Sequence, residues 1–141
     1  MIRNLQINMA KPISIVNAGE ALTRGMAVSY DPATHTVSAA TAATGFGVLD
    51  VAPNYDGINA VFAPSDGAFE NIAEGDLCFY ISFYAGERIA TNQIEANGLV
   101  AGDKLQATAG KFAKATGDAE WIYVGAYSDP TFDDMHIIQH A

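Results

Sequence analysis

Short apolar runs, broken every few residues by glycine and an acid, set the pattern of this chain, most plainly over residues 97–127. Gly102-Asp103 reads as a turn, 104–107 as a short strand, and Ala109-Gly110 as a second turn. Residues 111–115 return, Thr116-Gly117-Asp118 turns again, and 121–127 is a longer strand. Strands this short between Gly, Asp and Asn clusters are hairpin signals and leave little room for a helix. The same grammar appears earlier, over residues 20–51. Leu22 matches Leu99, Gly25 matches Gly102, Val28 matches Leu105, Val37 matches Phe112, and Gly47-Val48-Leu49 matches Gly125-Ala126-Tyr127. A partial third copy begins at Glu74-Gly75-Asp76-Leu77. The expectation is a repeated β-meander unit in an all-β protein.

At 141 residues the chain fits one domain. No run approaches the 18 apolar residues of a membrane span, and the N-terminal stretch lacks the apolar core of a signal peptide. Cys78 stands alone, so it forms no intrachain disulfide and belongs to no zinc motif; it reads as a small buried hydrophobe. The net charge of −9 is unevenly spread. Residues 1–19 hold Arg3 and Lys11 and no acid, which leaves five bases against 16 acids in the rest. Phosphate contact needs a basic patch, so nucleic acid is an unsuitable partner.

Residues 1–17 differ from the body at 18–141. Ile2, Leu5, Ile7, Met9, Ile13, Ile15 and Val16 are apolar and spaced mostly by two, and Pro12 excludes a helix. The segment reads either as the first strand of the domain or as an extended N-terminal arm that pairs with a neighbour. In the arm reading Ile2, Arg3, Leu5, Ile7, Met9 and Lys11 make the outside contact. Further on, 47–52, 58–63 and 68–72 read as strands, and 91–96 as one helical turn capped by Thr91 or Asn92. The strand at 77–84 puts Leu77, Phe79, Ile81 and Phe83 on a core face. It puts Cys78, Tyr80, Ser82 and Tyr84 on an amphipathic face suited to an oligomer interface. The last strand is Met135–His140.

Candidates for chemistry are sparse. His136 and His140 share a strand face but lack a third ligand, so no metal is expected. Asp129, Asp133 and Asp134 form an acidic loop without EF-hand spacing. No nucleophile motif, phosphate loop or cofactor fingerprint occurs, so the chain is not expected to be an enzyme or to carry a cofactor. Trp121, Tyr123 and Tyr127 alternate onto one strand face. That face reads as core and interface, with a sugar platform as the alternative.

Residues 18–51, AGEALTRGMAVSYDPATHTVSAATAATGFGVLDV, resemble the small capsid decoration (cement) proteins of tailed bacteriophages. Those chains open with "aGeal", continue through a hairpin and a small-residue stretch, and end in "G-v". Residues 101–117, AGDKLQATAGKFAKATG, are similar to a second stretch of the same proteins. Gly25-Met26 departs from the usual Gly-Asp. The resemblance implies a single compact, β-tulip-like barrel or sandwich, commonly a homotrimer. It implies a structural virion protein, made in the host cytoplasm, that sits on the outer capsid surface and bridges adjacent major capsid protein subunits. Tyr80, Tyr84, Trp121 and Tyr123 are then the expected trimer contacts, with neither membrane nor nucleic acid as partner. The alternative function is a ligand-binding β-barrel such as a carbohydrate-binding module.

Overall fold

A computed structural model describes residues 1–7, 13–51 and 70–141. Its described elements are all strands: β1 (Ile2–Gln6), β2 (Ile13–Ala18), β3 (Leu22–Thr23), β4 (Ala27–Asp31), β5 (Thr36–Ala39), β6 (Gly47–Val51) and β7 (Asn71–Ile72). They continue with β8 (Leu77–Ile81), β9 (Arg88–Thr91), β10 (Lys104–Thr108), β11 (Lys111–Lys114), β12 (Trp121–Tyr127) and β13 (Met135–His140). The expected strand at 58–63 lies outside the described residues. The expected helical turn at 91–96 does not form. Instead β9 ends at Thr91, and Ile94 bridges to Phe112 on β11.

Among the described residues, one turn, used four times, launches four of the strands. It spans Thr23–Met26, Ala73–Asp76, Tyr84–Glu87 and Val100–Asp103. In each, the last residue's N–H donates to the first residue's carbonyl, at 3.1, 3.0, 3.1 and 3.0 Å. The third residue is Gly25, Gly75, Gly86 or Gly102, with φ of 92°, 88°, 89° and 96°. Only glycine adopts this region without steric cost, as a type II turn requires. That glycine's N–H donates across to Leu49, Ala18, His140 or Tyr123 respectively, and the same partner residue donates back to the residue after the glycine. Asp76, Glu87 and Asp103 accept, through their carboxylates, the N–H of the residue that opens the turn. Where the first copy has Met26, its sulfur takes that place, 3.0 Å from the Thr23 nitrogen. A strand begins two residues after each glycine: β4, β8, β9 and β10.

The repeat seen in sequence is therefore a shared turn followed by a shared three-strand arrangement. In both copies the first strand is central, in the orders β5-β4-β6 and β11-β10-β12. A meander, with its second strand central, is not what forms. The two copies also end in different structures. The first belongs to a closed barrel, β2-β5-β4-β6-β8, and the second to a six-stranded sheet, β1-β9-β13-β12-β10-β11. A separate two-stranded ribbon, β3-β7, adds Leu22 and Ile72 to the buried cluster of the barrel.

Two main cores follow from strand alternation. Val16, Val28, Val37, Leu49 and Cys78 form a buried cluster of inward-facing barrel residues. The residues between them, Ala27, Val48 and Ile81, face outward and pack on the six-stranded sheet against Ile89, Leu105, Phe112, Trp121 and Ile138. Trp121 is central there, edge-on to Phe83 and Phe112 with centroids 5.4 Å from each. β8 thus serves both cores, Cys78 on one face and Ile81 on the other.

Candidate functional site

The first residues of the chain are built into the sheet. β1 runs antiparallel to β9, with Ile2 opposite Thr91 and Arg3 opposite Ala90. Met1 is fully buried and Ile2 nearly so. The Met1 ammonium donates to the Arg24 carbonyl and, at 2.8 Å, to Asn92 Oδ1, and it pairs with Glu70 Oε2 at 2.8 Å. Burial lowers its pKa below the usual 8.0, against the pull of Glu70. Beside it Arg24 Nε meets Asp50 Oδ1 at 2.5 Å. Burial raises the Asp50 pKa in spite of the Arg24 charge. Arg3 reaches Asp129 and lies over the Phe132 ring, 5.6 Å from its centroid. The acidic loop is thus closed by a base: Asp129 also accepts the N–H groups of Thr131 and Phe132, and its carboxyl is held down at about 2, chiefly by Arg3.

These contacts make residues 2–6 the first strand of the chain's own sheet, one of the two readings of the segment. Ile2 and Arg3 are engaged within this chain, and Ile7 packs on the main core. Leu5 stays 38% exposed. Met9 and Lys11 lie outside the described residues.

The expected oligomer contacts are corrected in part as well. Trp121 is wholly buried and Tyr123 nearly so, under the chain's own barrel. They offer neither a trimer contact nor a sugar platform. The Tyr123 hydroxyl is 2.9 Å from His136 Nδ1, and burial lowers the His136 pKa despite Asp134. Tyr80 packs against the barrel core beside Tyr30, and Tyr84 is half exposed. Leu77, expected in the core, is 58% exposed.

The exposed apolar surface lies elsewhere. Ile13 and Ile15 on β2 are 47% and 49% exposed. β2 pairs with β8, placing Ile15 opposite Phe79 and Asn17 opposite Leu77. Ile13, Ile15 and Leu77 therefore share one outer wall of the barrel. Outward positions on the adjoining β5, Thr36 and Ser38, carry no charge. Sequence reasoning missed this wall because alternation alone does not tell a covered face from a bare one.

Among the described residues, no three His, Cys, Asp or Glu side chains stand close enough to share a metal ion. Cys78 is buried, and burial raises its thiol pKa to about 11, far from a reactive thiolate. No protein-family model matches the chain, and no curated protein is similar to it at a significant level.

Proposed function

We propose that this protein is a structural, non-enzymatic decoration protein of a tailed-phage head. In this reading it is made in the host cytoplasm and sits on the outer capsid surface, where a homotrimer clamps adjacent major capsid protein subunits. The observation that carries the reading is an apolar patch on the outer wall of the barrel, with Ile13, Ile15 and Leu77 half exposed side by side in a protein of net charge −9. Contiguous exposed apolar side chains mark interaction surfaces. Support also comes from the stretch that resembles decoration proteins, residues 18–51, which builds the neighbouring strands of the same barrel. Each wall is small, so retention rests on several copies held together and on the high effective concentration that follows. The glycan-binding alternative loses its proposed platform with the burial of Trp121 and Tyr123.

Co-sedimentation with phage heads whose decoration sites are empty tests this. The wild-type chain is expected to pellet with heads, and the Ile13→Asp/Ile15→Asp variant, still folded, to stay in the supernatant. A wild-type chain that never pellets, or a variant that pellets equally well, overturns the proposal.

A further inference from the structure

We propose that β1 is an exchangeable strand, donated by one copy of this chain to the β9 edge of a neighbouring copy. The inference deepens the assembly reading above and rests on its oligomer alone, so purified protein tests it without a capsid.

Three observations carry it. First, the barrel is built from strands within residues 13–81, and the six-stranded sheet from strands within 88–140, apart from β1. Among the described strands β1 alone joins the sheet from the other end of the chain. Without it the strands β9-β13-β12-β10-β11 still form a continuous sheet, with β9 as a bare edge. A bare edge is a template for an added strand.

Second, the place β1 occupies is a socket with its own recognition chemistry. Glu70 and Asn92 take the terminal ammonium, Asp129 takes the Arg3 guanidinium, and Ala90 and Met135 cover Met1. With the Arg24 carbonyl, which also accepts from the terminal ammonium, all these partners lie in the body of the chain after the crossing from β1 to β2. An identical neighbour presents the same socket, so exchange keeps each of these contacts and changes only which copy supplies the strand.

Third, bare apolar side chains flank the crossing from sheet to barrel. Leu5 lies before it, and Ile13 and Ile15 directly after it. Six residue steps from Ile7 to Ile13 reach at most about 20 Å. A neighbour that receives β1 must therefore bring its sheet edge close to the donor's β2, and that approach covers Ile13 and Ile15. These side chains alone are too few for a stable interface, which needs about 800 Å² from each partner. An exchanged strand with Met1 and Ile2 fully seated adds to that area.

The test uses Gln6 and Arg88, exposed neighbours in the β1–β9 register. Cα atoms of paired antiparallel residues stand within disulfide range. A chain carrying Gln6→Cys is co-expressed with one carrying Arg88→Cys, and the mixture is oxidised with diamide. Cys78, buried and with its thiol pKa near 11, stays out of the reaction. The expected product is a disulfide-linked pair containing one chain of each kind. It should exceed several-fold the background from a Ser38→Cys and Arg88→Cys mixture. If the mixture gives only background while the double variant Gln6→Cys/Arg88→Cys closes within one chain, β1 stays in its own sheet and the proposal fails. If neither forms a bond, the mass of the wild-type protein in solution decides. A monomer at 100 micromolar, a concentration chosen for the test, overturns the proposal. An oligomer that Ile15→Asp reduces to monomer supports it.

Discussion

Arg3 and Asp129, 126 residues apart in sequence, meet at 2.8 Å between Nε and Oδ2, with Nη2 a further 3.4 Å from Oδ1. The Asp129 side chain is almost completely covered. A hydrogen bond to a charged group contributes about 1.5–3 kcal/mol, so Arg3→Ala should destabilise by roughly that amount at neutral pH. The pH dependence has a defined sign. The folded pKa of about 2 lies below the ordinary 3.8, so the stabilisation is fully present above about pH 4 and is lost as pH falls through 2. Urea titrations between pH 2 and 5 should show this loss in the wild type, and Asp129→Asn should remove it.

Removing residues 1–7 should cost the fold heavily. The deletion strips Met1 and Ile2 from buried sites, and a fully buried side chain of that size contributes about 1.5–3 kcal/mol. It also leaves Glu70 without the ammonium and bares the β9 edge. The expected result is a fall in Tm of more than 10 °C with a rise in aggregation. An unchanged melting curve would show that β1 is dispensable to the body.

The launching turns make a sharp contrast among glycines. Gly102 has φ +96° with open space around it, so Gly102→Ala is strained by conformation alone, at about 1–2 kcal/mol. Gly117 has open space and no left-handed φ, so Gly117→Ala should lie within about 0.5 kcal/mol of wild type. Denaturant midpoints distinguish the two.

Tyr80 and Tyr84 should respond differently to lysine. A Cβ on Gly47 would stand 2.6 Å from the Tyr80 ring, which shows how closely that ring lies on the barrel backbone. Tyr80→Lys should therefore unfold or strongly destabilise the protein, whereas Tyr84→Lys should keep its circular dichroism and Tm.

Cys78 should serve as a clock for opening of the barrel. Its thiol is buried, with a pKa near 11, so an aromatic disulfide reagent at pH 8 should label it only as fast as the barrel opens. Labelling at the rate of a free thiol would place Cys78 at the surface.

Much of the architecture is local and could be read from sequence. The bounds of β12 and β13 follow from apolar runs between turn residues, and Gly25, Gly75 and Gly102 marked three of the four launching turns. Gly86 shows no such repeat in sequence, because its kinship with the others rests on a shared hydrogen-bond pattern that involves His140. What stayed hidden depends on distant partners. An aromatic face such as Trp121–Tyr123 looks the same in sequence whether its own barrel or another subunit covers it. Leu77 shares the parity of Phe79 and Ile81, yet it is exposed at the start of β8 while Ile81 is buried under the sheet. The Met1 socket draws on Arg24, Glu70 and Asn92, and no periodicity links those positions.

The position of β1 also orders the birth of the molecule. Ile2 leaves the ribosome before nearly all the rest of the chain, but its pairing partner Thr91 follows 89 residues later. At about 5–20 residues per second, the strand waits for roughly 4–18 s with no edge of its own to join. Asp129 and Met135, which complete the socket, arrive later still. The strand made first is therefore among the last to be seated, and completion of the sheet waits on the far end of the chain.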